Sequence, residues 1–411
     1  MYKKVYMVVK LILLILVSVL YGCSESLSEC EDYTIVKIEE AFENNEAIRL
    51  SKYASSIEYL PLETTLESSL ADILELRSDK YNLYIKDHKF MNIKVFDKST
   101  GKFVKLFDKR GRGPGEYLYC NTFDIKEYEN KEDNQLVISG LGSVYGYSLK
   151  DDRNVYQFEK PRRIVNRVAC SRTDGSIYLI YNKNVQENGL ISEDNYWYQY
   201  LYQFDKAGRI ISESYIGLLM RTHAITAQFI PYKDKLRVIN VTEDTIYNVN
   251  NDNSLSIEYI VDFGKYQHFQ TVDKKDGSWY FEFTDGGTYE NDSFLLFKAD
   301  LPEIALPHLY KRHPDYYRRI VYHSIILYDK KEKKTYSIKE DQNYDYIGFV
   351  NDIDGGVPFS PRYVEGNKMY QFINAADFIE LAERHNVPRM KEIAATLTDE
   401  SNPVMVVATL K

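Results

Sequence analysis

The chain has 411 residues, 44% of them apolar, and a formal net charge of −9. Its lysines are scattered among acids, so it lacks the basic stripe that displaces counterions from phosphates, and nucleic-acid binding is excluded. The length allows a large core and, by size alone, several domains.

The start of the chain reads as a targeting segment. Lys3, Lys4 and Lys10 accompany the apolar run Leu11 to Leu20, and Tyr21-Gly22-Cys23 follows, the order of a secretory signal. The ending resembles a bacterial lipobox, in which Cys23 is acylated and becomes the first mature residue. The apolar run is shorter than the roughly 20 residues of a spanning helix, and Ser24, Glu25 and Ser26 come straight after it. Residues 1–22 are therefore expected to be a lipoprotein signal peptide, residues 23–54 an N-terminal tether, and residues 55–411 the folded domain. Residues 1–22 hold three lysines and no acid, so the mature chain has a charge of −12 against −9 for the whole. Beyond Cys23 the cysteines are Cys30, Cys120 and Cys170. An odd number without C-x-x-C cannot make a full disulfide framework; one bridge is open and none is expected.

From Ser55 onward short branched and aromatic runs alternate with turn residues. The first are Ile57 to Leu62, Ile73 to Leu76, Leu83 to Ile85, Ile93 to Phe96 and Phe103 to Phe107. That spacing marks an all-β sandwich, barrel or propeller, and 37 tyrosines suit half-buried pleated surfaces. A unit then recurs: a strand after a turn (Lys80 to Ile85), a second ending Val95-Phe96-Asp97, a hairpin with Gly101, and an outer strand. It returns at Asp174 to Ile180 with Tyr202 to Ile210, and at Ile325 to Lys331, with looser copies near Gln135, Lys235 and Lys368. A four-strand unit repeated every ~40–60 residues implies radial blades. Inner-strand candidates near Leu83, Leu136, Ile177, Leu236, Phe294 and Met369 give six. The last strand, Pro403 to Leu410, has no partner of its own and is expected to close the ring against Ile57 to Leu62, hiding two open edges. About residues 375–397 the pattern turns helical, with Phe378, Leu381 and Ala382 at i, i+3, i+4 and Asn374 as N-cap. This helical insertion is expected to pack on the propeller rim. Lys330 to Lys334 reads as a solvated turn.

Two loops stand out. Arg110-Gly111-Arg112-Gly113-Pro114-Gly115-Glu116 sets two guanidiniums and a carboxylate on a frame stiffened by Pro114, its glycines free to take positive φ. It has two readings: Arg110 or Arg112 as a fork for an anion or carboxylate, or an inter-blade turn in which Glu116 pairs with one of those arginines. It lacks the Gly-Lys-Ser/Thr ending of a phosphate loop. Asn351-Asp352-Ile353-Asp354-Gly355-Gly356 places Asn351, Asp352 and Asp354 at the alternate spacing of calcium sites, without the remaining ligands of such a loop; an Asx-turn is the other reading. The histidines form no ligand motif, and neither a Gly-x-Ser-x-Gly elbow nor His-Glu-x-x-His occurs. Tyr196, Tyr198, Tyr200 and Tyr202 fall on one strand face, suited either to stacking on sugars or to packing against a neighbouring blade.

The lipobox, the strand Glu58 to Glu63, the Arg110 to Tyr117 loop, the Asn351 to Gly356 turn and the closing Glu400 to Val404 together resemble the six-bladed β-propeller lipoproteins of Bacteroidetes. The resemblance spans nearly the whole mature chain and implies the fold and an envelope location, on the outer membrane or the periplasmic face, but no activity. More remotely the chain is similar to NHL-type propellers, commonly binding modules and occasionally lyases or lactonases. The expectation is a lipid-anchored binding module for a peptide, glycan or protein, with Arg110, Arg112, Glu116, Asn351, Asp352 and Asp354 as candidate ligand residues and neither metal nor cofactor. Its rivals are a hydrolase or lyase with carboxylates converging on the central channel, and a purely architectural envelope component.

Overall fold

The computed structural model describes residues 33–71, 73–87, 91–160, 165–171, 175–184, 196–205, 207–220, 227–240, 244–252, 254–264, 282–301, 322–338 and 347–411. Cys23 and the leader lie outside them. Three strands come before the first complete blade: β1 (Thr34–Lys37), β2 (Asn45–Glu46) and β3 (Ala54–Pro61). Blade 1 is β4 (Ile73–Ser78), β5 (Asn82–Asp87), β6 (Ile93–Asp97) and β7 (Phe103–Phe107). Blade 2 is β8 (Thr122–Lys126), β9 (Gln135–Ser139), β10 (Ser143–Ser148) and β11 (Asn154–Glu159). Blade 3 follows with β12 (Val165–Cys170), β13 (Ile177–Asn184), β14 (Tyr196–Phe204) and β15 (Ile210–Met220). Blade 4 has β16 (Ala227–Tyr232), β17 (Lys235–Asn240), β18 (Thr245–Val249) and β19 (Leu255–Asp262). Blade 5 has β20 (Glu282–Glu290), β21 (Phe294–Leu301), β22 (Tyr322–Asp329) and β23 (Lys334–Ile338). In blade 6, β24 (Tyr363–Glu365), β25 (Lys368–Ile373) and β26 (Val404–Leu410) are joined by β3. The chain is a six-bladed β-propeller.

The middle strands of a blade are buried on both faces, so both alternating sets of such a strand are largely apolar, whereas outer strands such as β7 and β11 expose one face. On β5, Leu83 and Ile85 pack with Tyr370, Met405 and Val407 of blade 6, while Tyr84 packs with Phe123 and Leu136 of blade 2. Comparable apolar clusters join blades 2 and 3, 3 and 4, 4 and 5, and 5 and 6. The residues read as inner-strand markers, Leu83, Leu136, Ile177, Leu236, Phe294 and Met369, lie on or beside the second strand of each blade. Second strands are the most apolar because neighbours cover both faces and both edges, whereas the innermost strands carry polar side chains such as Glu75, Arg77, Asp124 and Gln228.

Closure takes the expected form. β26 lies between β25 and β3, in register from Val404 opposite Pro61 to Leu410 opposite Ala54. Blades 1 and 6 also meet through Glu365, which accepts hydrogen bonds from Ser78 and from Lys98 Nζ, the latter at 2.6 Å.

Residues 34–53, read from sequence as tether, instead form part of the ring wall. β1 adds a fifth strand beyond β19, and β2 adds one beyond β23 in parallel register. Between them α1 (Ile38–Glu43) helps to sink Val36, Ile38 and Ala41 completely into the cluster of blades 4 and 5. Farther along, Tyr53 Oη donates to Asp329 at 2.8 Å. Three buried apolar side chains explain why this arm is fastened: exposing them would cost several kcal/mol, at about 1.5–3 for a large side chain.

The insertion between β25 and β26 is two helices, α2 (Ala375–His385) and α3 (Pro388–Ala394). Phe378, Leu381, Ala382, Met390 and Ile393 face the core of blades 5 and 6. Asn374 sits at the N-cap position but makes no side-chain cap bond; the helix ends at Asn386 in the left-handed region. Among the described residues no helix is long and apolar enough to cross a membrane.

Antiparallel blades divide the connections between two ring faces. Links from second to third strand and from blade to blade leave one face, here the upper; the first-to-second and third-to-fourth turns leave the lower.

Candidate functional site

The Arg110 to Glu116 loop joins β7 to β8 on the upper face. Its ends are tied together, Gly111 N–H to Tyr117 O at 3.1 Å and Tyr117 N–H to Lys109 O at 3.1 Å. Tyr117 is fully buried against Tyr145 and Tyr147, and Tyr147 Oη donates to Gly115 O at 2.8 Å. Gly115 takes φ +72°, which an L side chain rarely adopts. The Glu116 carboxylate folds back over the loop and accepts the Gly113 N–H at 2.8 Å. A Cβ at Gly111 would run into that carboxylate, so glycine there makes room for the brace.

The arginines divide. Arg110 Nε donates to Asp108 Oδ1 at 2.7 Å, and these hydrogen bonds hold its guanidinium above the usual range. Arg112 is exposed and has no hydrogen bond or ion pair among the described residues. The Arg–Glu116 pair of the turn reading does not form, since Asp108 takes one guanidinium and a backbone amide takes Glu116.

In the second loop the oxygens are spent on the fold. Asp354 Oδ1 accepts from Gly356 N–H at 2.9 Å, an Asx-turn, and also from Asn351 Nδ2 at 2.7 Å and Tyr59 Oη at 3.2 Å. Asp352 turns the other way and accepts from Ser51 N at 2.9 Å and Ser51 Oγ at 2.6 Å. Burial acts against the Asp352 charge, and the Ser51 hydrogen bonds outweigh it, so its carboxyl sits below the ordinary range. Alternate spacing thus sends the two carboxylates to different partners. Among the described residues no group of three or more His, Cys, Asp or Glu is arranged to hold a metal.

Sequence reading missed a charge network on the innermost strands of blades 1 to 3. Arg77 donates to Glu75 Oε1 at 2.9 Å through Nη2 and to Asp124 Oδ1 at 3.2 Å through Nε, and it lies over the Phe123 ring. Thr122 Oγ1 donates to Glu75 Oε1 at 2.8 Å, Lys86 Nζ is 3.5 Å from Glu75 Oε2, and Cys170 N–H donates to Asp124 Oδ2 at 2.8 Å. Burial would raise the Glu75 carboxyl; Arg77, then Lys86 and Arg167, more than offset this and hold it low. The available signal was Glu75 and Arg77 at alternate positions of an otherwise apolar strand, hence on one face.

Of the tyrosine run, Tyr202 is buried against Tyr181 with ring centroids 4.8 Å apart, Tyr200 is half-buried, and Tyr198 is exposed beside Tyr215. This face therefore runs from solvent into the packing between blades 2 and 3, while the Tyr196 side chain lies outside the described residues. Cys120 and Cys170 are both free and buried. His308 and His313, five residues apart in the sequence, lie outside the described residues.

A family model described as "Domain of unknown function (DUF4934)" matches residues 33–409. Comparison with curated proteins finds no match. Among solved structures, the "Putative exported protein" of Bacteroides fragilis NCTC 9343 is similar at 16% identity and a TM-score of 0.60, covering 92% of this chain and 99% of its own. Virginiamycin B lyase from Staphylococcus aureus, solved with quinupristin, aligns at 12% identity and a TM-score of 0.38, over 70% of this chain and 75% of its own.

Proposed function

The chain belongs to the DUF4934 family, and from that premise we propose that it is an envelope lipoprotein acting as a binding module for a peptide, glycan or protein. Arg112 is its ligand-touching residue, on the upper ring face. Arg110, Glu116, Asn351, Asp352 and Asp354 serve that face by holding their loops in shape.

The observation that carries this reading is how the inner-strand carboxylates are used. Glu75 and Asp124 converge, as a hydrolase or lyase at the channel would require, but Arg77 lies between them and Glu75 is held in its charged form. A general acid needs the opposite, a carboxyl whose proton affinity is raised toward the working pH. The network is suited to fixing three blades in register, and Arg112 is left with its planar fork directed at solvent on a braced loop. The test is an array of acidic and neutral peptides and glycans probed with the wild-type chain and with Arg112→Ala. Binding to an anionic member that disappears in the variant supports the reading; binding unchanged by the variant removes Arg112 from it. The anchor is tested separately by membrane fractionation, in which Cys23→Ala should release the protein to the soluble fraction.

A further inference from the structure

On the lower ring face, between blades 3 and 4, lies a cavity of about 280 Å³. Its lining comes from the end of β12, from β13, from the β16–β17 hairpin and from the end of β18 with the residues just after it. Tyr178, Val249 and Cys170, all buried, and the half-buried Leu236 form its wall. Burial pushes the Cys170 thiol well above its usual range, so the wall is uncharged at neutral pH.

The rim is polar. Asn250 is already committed: its Nδ2 donates to Ser254 Oγ at 3.0 Å and its Oδ1 accepts from Asn248 Nδ2 at 2.7 Å. Asp234, Lys235 and Asn251 are different. All three are exposed, and none has a hydrogen bond or ion pair among the described residues. They supply an acceptor, a donor and an amide that is both, and the carboxylate and ammonium cancel in charge.

We infer that this cavity binds one neutral pyranose ring, as a free sugar or the end of a glycan. A pyranose has an apolar C–H face to lie against Tyr178, Leu236 and Val249, and hydroxyls that each donate and accept, matching the mixed rim. The zero net charge of the rim gives no preference for an ion. The volume falls just below the roughly 300–1,000 Å³ of drug-sized sites, enough for a single ring. The inference shares with the preceding section only the premise of a binding module; its residues are separate from Arg112 and on the opposite face.

The experiment is a titration of the full chain with the methyl glycosides of glucose, galactose, mannose, fucose and N-acetylglucosamine, followed by ligand-observed NMR and calorimetry. At least one glycoside should saturate in the millimolar range, with Asp234→Ala and Asn251→Ala each weakening it about tenfold, the loss of one good hydrogen bond. Both residues are exposed, so the variants should melt with the wild type. Arg112→Ala should leave glycoside binding unchanged, so failure of the upper-face reading does not touch this one. No saturation by any glycoside at about 10 mM, well into the range of weak small-ligand binding, would overturn the inference. So would binding indifferent to both rim variants, or saturation by N-acetylphenylalanine amide with every glycoside failing.

Discussion

Arg112 and Glu116 are four residues apart in one loop and do different work. Glu116 stabilises the loop by accepting the Gly113 N–H, so Glu116→Ala should cost about 1 kcal/mol, the scale of one hydrogen bond. Arg112→Ala should stay within about 0.5 kcal/mol. With no bond between them the double variant should be additive within about 0.5 kcal/mol; thermal melts of the three variants check this. That the loop needs glycines was legible in the sequence, but Glu116's partner was not, because that partner is a backbone amide of the loop itself while the nearby Asp108 occupies Arg110. Two buried groups allow further tests. Burial pushes the Cys120 thiol up to about 12, and Cys170 is raised too. In a chain carrying Cys23→Ser and Cys30→Ser, neither should react with a thiol reagent at pH 8 until denaturant is added. Burial lowers Lys160 to about 8, its Nζ meeting Ser139 Oγ at 3.3 Å and the Gly140 carbonyl. Between that value and its usual 10.5 the unfolded chain holds a proton that the folded one does not, so this lysine makes stability rise with pH across the window. The melting temperature of Lys160→Met relative to wild type should therefore fall as pH goes from 7 to 10.5.

Among elements, blades 4 and 5 are joined by a buried ionic clip. Arg237, on β17, pairs with Glu290 at the end of β20 and with Glu258 at 2.8 Å; Glu290 also accepts from Tyr259 Oη at 2.8 Å and Lys330 Nζ at 2.7 Å. Arg237 is 1% exposed. Removing one partner strands a buried charge, so Arg237→Ala should cost about 3–5 kcal/mol, while the pair Arg237→Met and Glu290→Leu should lose less than the sum of its singles. Denaturant titrations of the set measure it. The sequence presented Arg237 simply as a charge inside an apolar strand; its buried partner Glu290 is on another blade, and spacing along one chain does not encode that. The middle strands were legible because burial on both faces makes them short continuous branched and aromatic runs between turns. The arm was not, because β1 is four residues and β2 is two, too short to show a period.

At the scale of the whole molecule the six-fold repeat was readable because each blade solves the same packing problem with the same hairpins, and the lone last strand announced the seam. What could not be read was which strand of each blade lies innermost, since apolarity peaks one strand outward from the centre. Deleting residues 403–411 should expose the edges of β25 and β3 and lower the melting temperature, with loss of a single cooperative transition by calorimetry. The seam also bears on how the protein comes into being. β3 is made long before β26, so however the chain is released, from a ribosome or across a membrane, residues 54–61 wait without their seam partner until residues 404–410 arrive. Long-range pairing of this kind is slow to form, and until it forms the chain has two sticky edges. A chain cut short before residue 404 has no β26 to pair with β3, so this strand works as proof of delivery: only a copy that includes it can shut, and one without it stays open to chaperone or protease.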